Sequence, residues 1–193
     1  MALRITDYTE SLEAAVGEFN NRLEEGGVSF RFPGSHVPSW LPRIDDRRMY
    51  QEYYLAVEDD ATVRGGYILK HQDFLVGGEP RSIGNYQLPL SEGVIDRAYN
   101  LLGLRLVTDA LSRQPLLYSL GMGGFDRPLP QLLEATGWKL VEIPFFFKAV
   151  HPFRFLRNIT ALRTSRLRKL ALDFLAISGI GSVSYTHLTL PTN

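Results

Sequence analysis

The chain opens with alternating apolar and polar positions over residues 3–8, which predicts a short strand. Leu12, Ala15, Val16, Phe19 and Leu23 then recur at the spacing of one helix face. Thr9 or Ser11 can cap that helix, Glu10 and Glu13 sit near its positive end, and Gly26-Gly27 ends it. Residues 28–43 hold Phe30, Phe32, Pro33, Gly34, Pro38, Trp40 and Pro42. Three prolines there exclude a regular helix or a central strand, so a long loop with Phe32 and Trp40 as anchors is expected. A single helical turn is expected over residues 45–50. β-rich runs at 52–58, 63–76 and 82–90, separated by turn residues at 59–62 and 77–80, predict an antiparallel meander. The period then changes. A helix is expected over 98–111, a short buried strand over 115–120, a second helix over 129–136 ended by Gly137, and a last strand over 138–150 interrupted by Pro144.

Composition narrows the classes. With 193 residues, 45% hydrophobic and 22% charged, the chain reads as one soluble globular domain with little left over. A formal net charge of +0 argues against nucleic acid as a partner of the whole chain. The absence of cysteine excludes disulfides, thiolate metal sites and cysteine nucleophiles. No apolar run reaches the ~20 residues of a membrane-spanning helix, and the first residues do not form a signal peptide, so a cytoplasmic location is expected. No His/Asp/Glu spacing matches a metal site. Gly121-Met122-Gly123-Gly124 lacks the Lys-Ser/Thr pair of a phosphate loop and reads as a crowded turn. His71 is expected to be exposed and His151 structural.

Residues 151–182 differ in character. Arg154, Arg157, Arg163, Arg166, Arg168 and Lys169 are interleaved with Phe155, Ile159, Leu162, Leu170, Phe174 and Ile177 at helical intervals. This predicts a basic amphipathic helix with three readings. It leads to a second domain of the same parent protein, makes peripheral contact with an anionic membrane through residues 154–177, or binds acidic partners. Residues 183–192, Val-Ser-Tyr-Thr-His-Leu-Thr-Leu-Pro-Thr, resemble the translation of a transposon-end adapter used in preparing DNA sequencing libraries. On that reading residues 183–193 are a non-native tail, His187 has no role, and the natural chain continues past about Ser182.

The element order over residues 3–150 resembles the GNAT superfamily of N-acetyltransferases, and Leu132-Leu133-Glu134-Ala135-Thr136-Gly137-Trp138 is similar to the late helix-Gly-aromatic turn of that family. The resemblance implies an α/β fold: a GNAT-like mixed sheet with an antiparallel meander, two splayed parallel strands and flanking helices. Residues 1–150 form that domain. It further implies acetyl-CoA or another acyl-CoA lying between the strands at 82–90 and 115–120, and transfer of its acyl group to an amine of a small metabolite, sugar or peptide. The alternative is a non-catalytic GNAT-like half of a tandem protein, acting as a binding or scaffolding domain.

On this resemblance the coenzyme would be held by Leu88, Leu90, Ser91, Gly93, Val94 and Arg97, at the turn leading into the following helix. Free N–H groups and the positive helix end bind phosphate there. The family pattern Gln/Arg-x-x-Gly-x-Gly/Ala is represented at that turn by Gly93 alone, with Glu92 and Asp96 adding negative charge. Glu92 is the candidate base, with a structural helix-terminus carboxylate as its alternative. Tyr118 is the candidate acid for the departing thiolate, with a core tyrosine as its alternative. Main-chain amides near Leu88 and Leu90 are oxyanion candidates, since Pro89 has none. His36, Trp40, Arg43 and Tyr86 are expected to line the acceptor pocket.

Overall fold

Among residues 3–144, five strands and three α-helices form close to where the period of the sequence placed them, with differences at the ends. The computed structural model describes residues 3–121 and 123–144, together with Phe155, Leu170 and Asp173. The sheet has the order β1 (Leu3–Asp7), β2 (Tyr50–Glu58), β3 (Thr62–Val76), β4 (Glu79–Ser91) and β5 (Leu117–Tyr118). The first four strands are antiparallel neighbours, and β5 runs parallel to β4. This is the expected mixed sheet with its antiparallel meander and parallel pair.

Strand alternation sends side chains to two faces. On one face Tyr53, Leu55, Val57, Ile68 and Leu90 pack against Val16, Phe19 and Leu23 of α1 (Glu13–Glu25). On the other, Tyr54, Tyr67, Leu69 and Tyr86 pack beneath Leu102, Leu106 and Ala110 of α2 (Leu102–Arg113) and Leu133 of α3 (Pro128–Ala135). Three tyrosines from adjacent strands stand in a row on this second face, with ring centroids 5.2 and 5.3 Å apart, and Trp138 closes the row beside Tyr86.

The helix ends follow local chemistry. Gly27 at φ 82° lets the Val28 N–H return to the Leu23 carbonyl, closing α1. Gly137 at φ 90° does the same for α3, with Trp138 N–H on Leu133 O. Thr9 starts a short 3-10 turn before α1, but its hydroxyl bonds Ser11 rather than a helix amide. Residues 45–50 form no helix. The long loop is pinned at Phe32, which is buried and held by both ends of the Asn20 amide, and at Val37, whose N–H donates to Glu13. Trp40, expected as an anchor, is 68% exposed.

Two expectations are corrected. His71 is buried, stacked on Tyr50 at 4.4 Å and bonded to Glu52 at 2.9 Å, because its strand neighbour places a carboxylate beside it. Residues 138–144 form no strand: Trp138 is drawn onto Tyr86, and Pro144 lacks a ladder donor. The basic segment, the adapter-like tail, His151 and residues 145–150 lie outside the described residues, apart from the three named above.

Close packing at the parallel pair gives a direct test. A Cβ added to Gly84 would lie 2.7 Å from both Gln114 Cγ and Leu117 Cδ2, and 2.9 Å from Leu69 Cδ1. Gly84→Ala is expected to lower unfolding free energy by about 1–3 kcal/mol, read from urea denaturation, by pushing β5 away from β4.

Candidate functional site

Strand β4 changes direction near its end. Gly66 pairs with Leu90 and Ile68 with Gln87, so Leu88 and Pro89 together oppose Tyr67. This is a β-bulge, and Leu88 adopts φ 46° to form it. On its other edge β4 pairs with β5 only at Gly84–Leu117 and Asn85–Tyr118. One step further the link passes from main chain to side chain: the Ser119 hydroxyl donates to the Tyr86 carbonyl at 2.6 Å. Two parallel strands therefore part just where the bulge begins.

Tyr118 stands at this fork. Gln72 Nε2 donates to its hydroxyl at 2.8 Å, and Phe74 meets its ring edge-on at 5.7 Å. Burial holds the Tyr118 phenol above its ordinary value of 10, while amide donation from Asn85 and Gln72 pulls the other way. The group is thus a protonated acid through neutral pH.

The segment after β4 is not the helix start that was expected. Two 3-10 turns, Glu92–Val94 and Arg97–Tyr99, intervene before α2 begins at Leu102. Their amides are used internally: Gly93 N–H donates to Ser91 Oγ and Ala98 N–H to Asp96 Oδ1. Ser91, Gly93, Val94 and Arg97 therefore sit in a connection of capped 3-10 turns, not at the start of α2. The uncapped end lies at Leu101-Leu102-Gly103, since no side chain caps α2. The apolar period carried the expected helix back to residue 98.

Glu92 is corrected from base to structural anion. It is 2% exposed; Arg22 of α1 holds one oxygen at 2.5 Å and Arg64 of β3 the other at 2.8 Å. Arg64 also pairs with Glu58, which accepts from the Tyr99 hydroxyl, while Arg22 reaches the Val63 carbonyl. Buried and held by a guanidinium group on each oxygen, the carboxylate is stabilised as the anion and does not face a substrate. Tyr86 is corrected too: its ring is fully buried on the α2 face between Tyr67 and Trp138, so it lines the core. Leu90 is likewise a core residue.

His36 and Trp40 are exposed on the loop, His36 bonding only its neighbour Ser35 among the described residues. Arg43 is drawn to β2, pairing with Glu52 at 3.3 Å and lying over the Tyr50 ring. The structure does not bring these three to the fork. What it does bring there went unnoticed in the sequence: Gln72, which bonds the Tyr118 hydroxyl, and Asn85, the buried strand partner of Tyr118. A polar residue within a buried strand was the signal.

No protein-family model matches the chain. No curated protein matches it in sequence. Solved structures do. A transcriptional regulator from Bacillus halodurans C-125 is similar at 16% identity over 76% of this chain and 99% of that one, with a TM-score of 0.52. An integron cassette protein from the mobile metagenome of V. cholerae is similar at 11% identity over 77% and 94%, with a TM-score of 0.51. A GNAT-family acetyltransferase from Staphylococcus aureus Mu50 matches at 14% identity over 74% and 90%, with a TM-score of 0.44. These likenesses concern the fold. Among the described residues no helix is long and apolar enough to cross a membrane.

Two outcomes are expected. Glu92→Gln removes one charge of a buried cluster and leaves two arginines facing a neutral amide. It should cost about 3–5 kcal/mol in urea denaturation, a loss that a solvent-facing base would not produce. Acid should also destabilise the fold. The Glu52 carboxyl is held below 4.5, chiefly by the His71 hydrogen bond; Glu58 is held low because its Tyr99 and Arg64 bonds outweigh burial. Their contribution is full above about pH 4.5 and is lost as pH falls through the lowered folded values, visible as a falling Tm.

Proposed function

We propose that this domain is an N-acyltransferase that moves an acyl group from acyl-CoA to an amine. The parting of β4 from β5 beside the Leu88 bulge carries this reading. Acyl-CoA, when bound, supplies the activated thioester carbonyl. The fork suits a narrow, amide-bearing arm, and the uncapped start of α2, with Arg105 in its first turn, suits a diphosphate. Leu88 offers its N–H to the carbonyl oxygen, since its bulge partner Pro89 has none. Tyr118 gives its proton to sulfur as the C–S bond breaks and the C–N bond forms. The proton shed by nitrogen passes to water, and water restores Tyr118. With Glu92 locked, the amine enters as its free base.

One observation favours the second reading, a non-catalytic binding or scaffolding half. The connection after β4 ties its Gly93 and Ala98 amides to Ser91 and Asp96 and carries acids, so it offers a coenzyme little. Calorimetry with acetyl-CoA separates the two: a saturable heat supports the transferase, and none at millimolar ligand removes it. The second domain and the membrane contact remain proposals that rest on residues 151–182.

Tyr118→Phe should lower kcat by about 10–100-fold with little change in KM for acetyl-CoA. In the wild type, kcat/KM should rise with pH along the acceptor amine's own titration and fall only above pH 10, as Tyr118 loses its proton.

A further inference from the structure

Four strands place polar side chains side by side on the α1 face of the sheet. Gln51 of β2 stands opposite Lys70 of β3, Lys70 opposite Asn85 of β4, and Asn85 beside Tyr118 of β5. The same face of these strands is apolar one step along, at Tyr53 and Ile68, where α1 covers it. The row ends at the fork.

Two of its members are incomplete. Asn85 is 8% exposed, and its Oδ1 has no hydrogen-bond partner among the described residues. A buried carbonyl left unpaired costs about 1–3 kcal/mol, so the position invites a donor. Lys70 is half-buried, and no carboxylate among the described residues lies within ion-pair distance of it. The other neighbours are neutral: Gln51 donates to Tyr53, and Gln72 to Tyr118. An acceptor carbonyl and an unpaired ammonium thus stand on directly opposed residues, with Cβ atoms roughly 5 Å apart.

We infer that this row is the acceptor site, and that the acceptor is an amine carrying an anionic group, a carboxylate or a phosphate. Asn85 Oδ1 receives an N–H of the amine beside Tyr118, and Lys70 receives the anion. The polarity fixes the orientation: a positive side chain one strand away repels an ammonium and attracts the opposite end of the molecule. The inference rests on the acyl-transfer reading and adds its substrate class.

The test uses the full chain with acetyl-CoA and matched amines: glucosamine 6-phosphate against glucosamine, and amino acids against their amides. The charged member of at least one pair should be preferred by at least tenfold in kcat/KM; which pair responds separates phosphate from carboxylate. Lys70→Met should bring that ratio close to one without changing acetyl-CoA affinity or Tm, and Lys70→Arg should keep most of it. Calorimetry with the same amines alone reads the site independently of turnover. Equal use of both members, or a preference that survives Lys70→Met, overturns the inference. So does a protein that binds acetyl-CoA yet neither binds nor acetylates any charged amine. Failure to bind acetyl-CoA overturns the transferase reading instead, and the amine calorimetry still judges the row.

Discussion

A buried carboxylate between two guanidinium groups fixes the geometry on which the site depends. Glu92 follows β4 immediately, and Arg22 and Arg64 reach it from α1 and β3. Removing such charges from water is costly, and the mutual attraction offsets that cost only when the geometry is good and both oxygens find donors. Here both oxygens do. The result is a rigid corner: the chain leaving β4 is held against the α1 face, turns twice through 3-10 geometry, and crosses to start α2 on the other face. Gly93 fits this corner because a Cβ there would lie 2.5 Å from the Tyr99 carbonyl.

The fork is a consequence of that corner and of the bulge. An extra residue in β4 increases its local twist and tilts the end of the strand away from its neighbour's path. β5 cannot follow, since Gly84 and Asn85 already fix its register to the straight part of β4. Pairing stops, and a Ser119 side chain replaces the missing main-chain bond. Opening a parallel pair exposes main-chain polar groups, so such an opening persists only where the surrounding packing enforces it. The Tyr54–Tyr67–Tyr86 row beneath supplies that enforcement by filling the opposite face.

The meander, the helices and their glycine stops were legible because they depend on local period and turn chemistry. Strand alternation around Leu55, Ile68 and Tyr86 and the helical spacing of Val16, Phe19 and Leu23 needed no distant partner. The site was legible only in part. Tyr118 and the Leu88 region stand at the fork, where their strands placed them. Glu92 was not legible, since its meaning depends on arginines 70 and 28 residues away in sequence. The start of α2 was hidden because Ala98 and Leu101 continue an apolar spacing that the 3-10 turns interrupt. His71 read as exposed because nothing local announces that Glu52, 19 residues earlier, lies across the ladder.

The polar row shows why register carries more information than composition. Gln51, Lys70, Asn85 and Tyr118 are ordinary residues, each at home on a solvated strand. Only the pairing of four strands aligns them, and only the fork gives that line a destination. An apolar residue at position 85 would pack better and leave no carbonyl unpaired, so stability alone argues against asparagine there. The Gln72–Tyr118 bond accounts for one end of this cluster, but nothing within the described fold uses Asn85 Oδ1 or the Lys70 ammonium. A group that weakens the folded state and serves no internal partner is best explained by a partner from outside. The two unpartnered groups, one acceptor and one cation, describe that partner's chemistry.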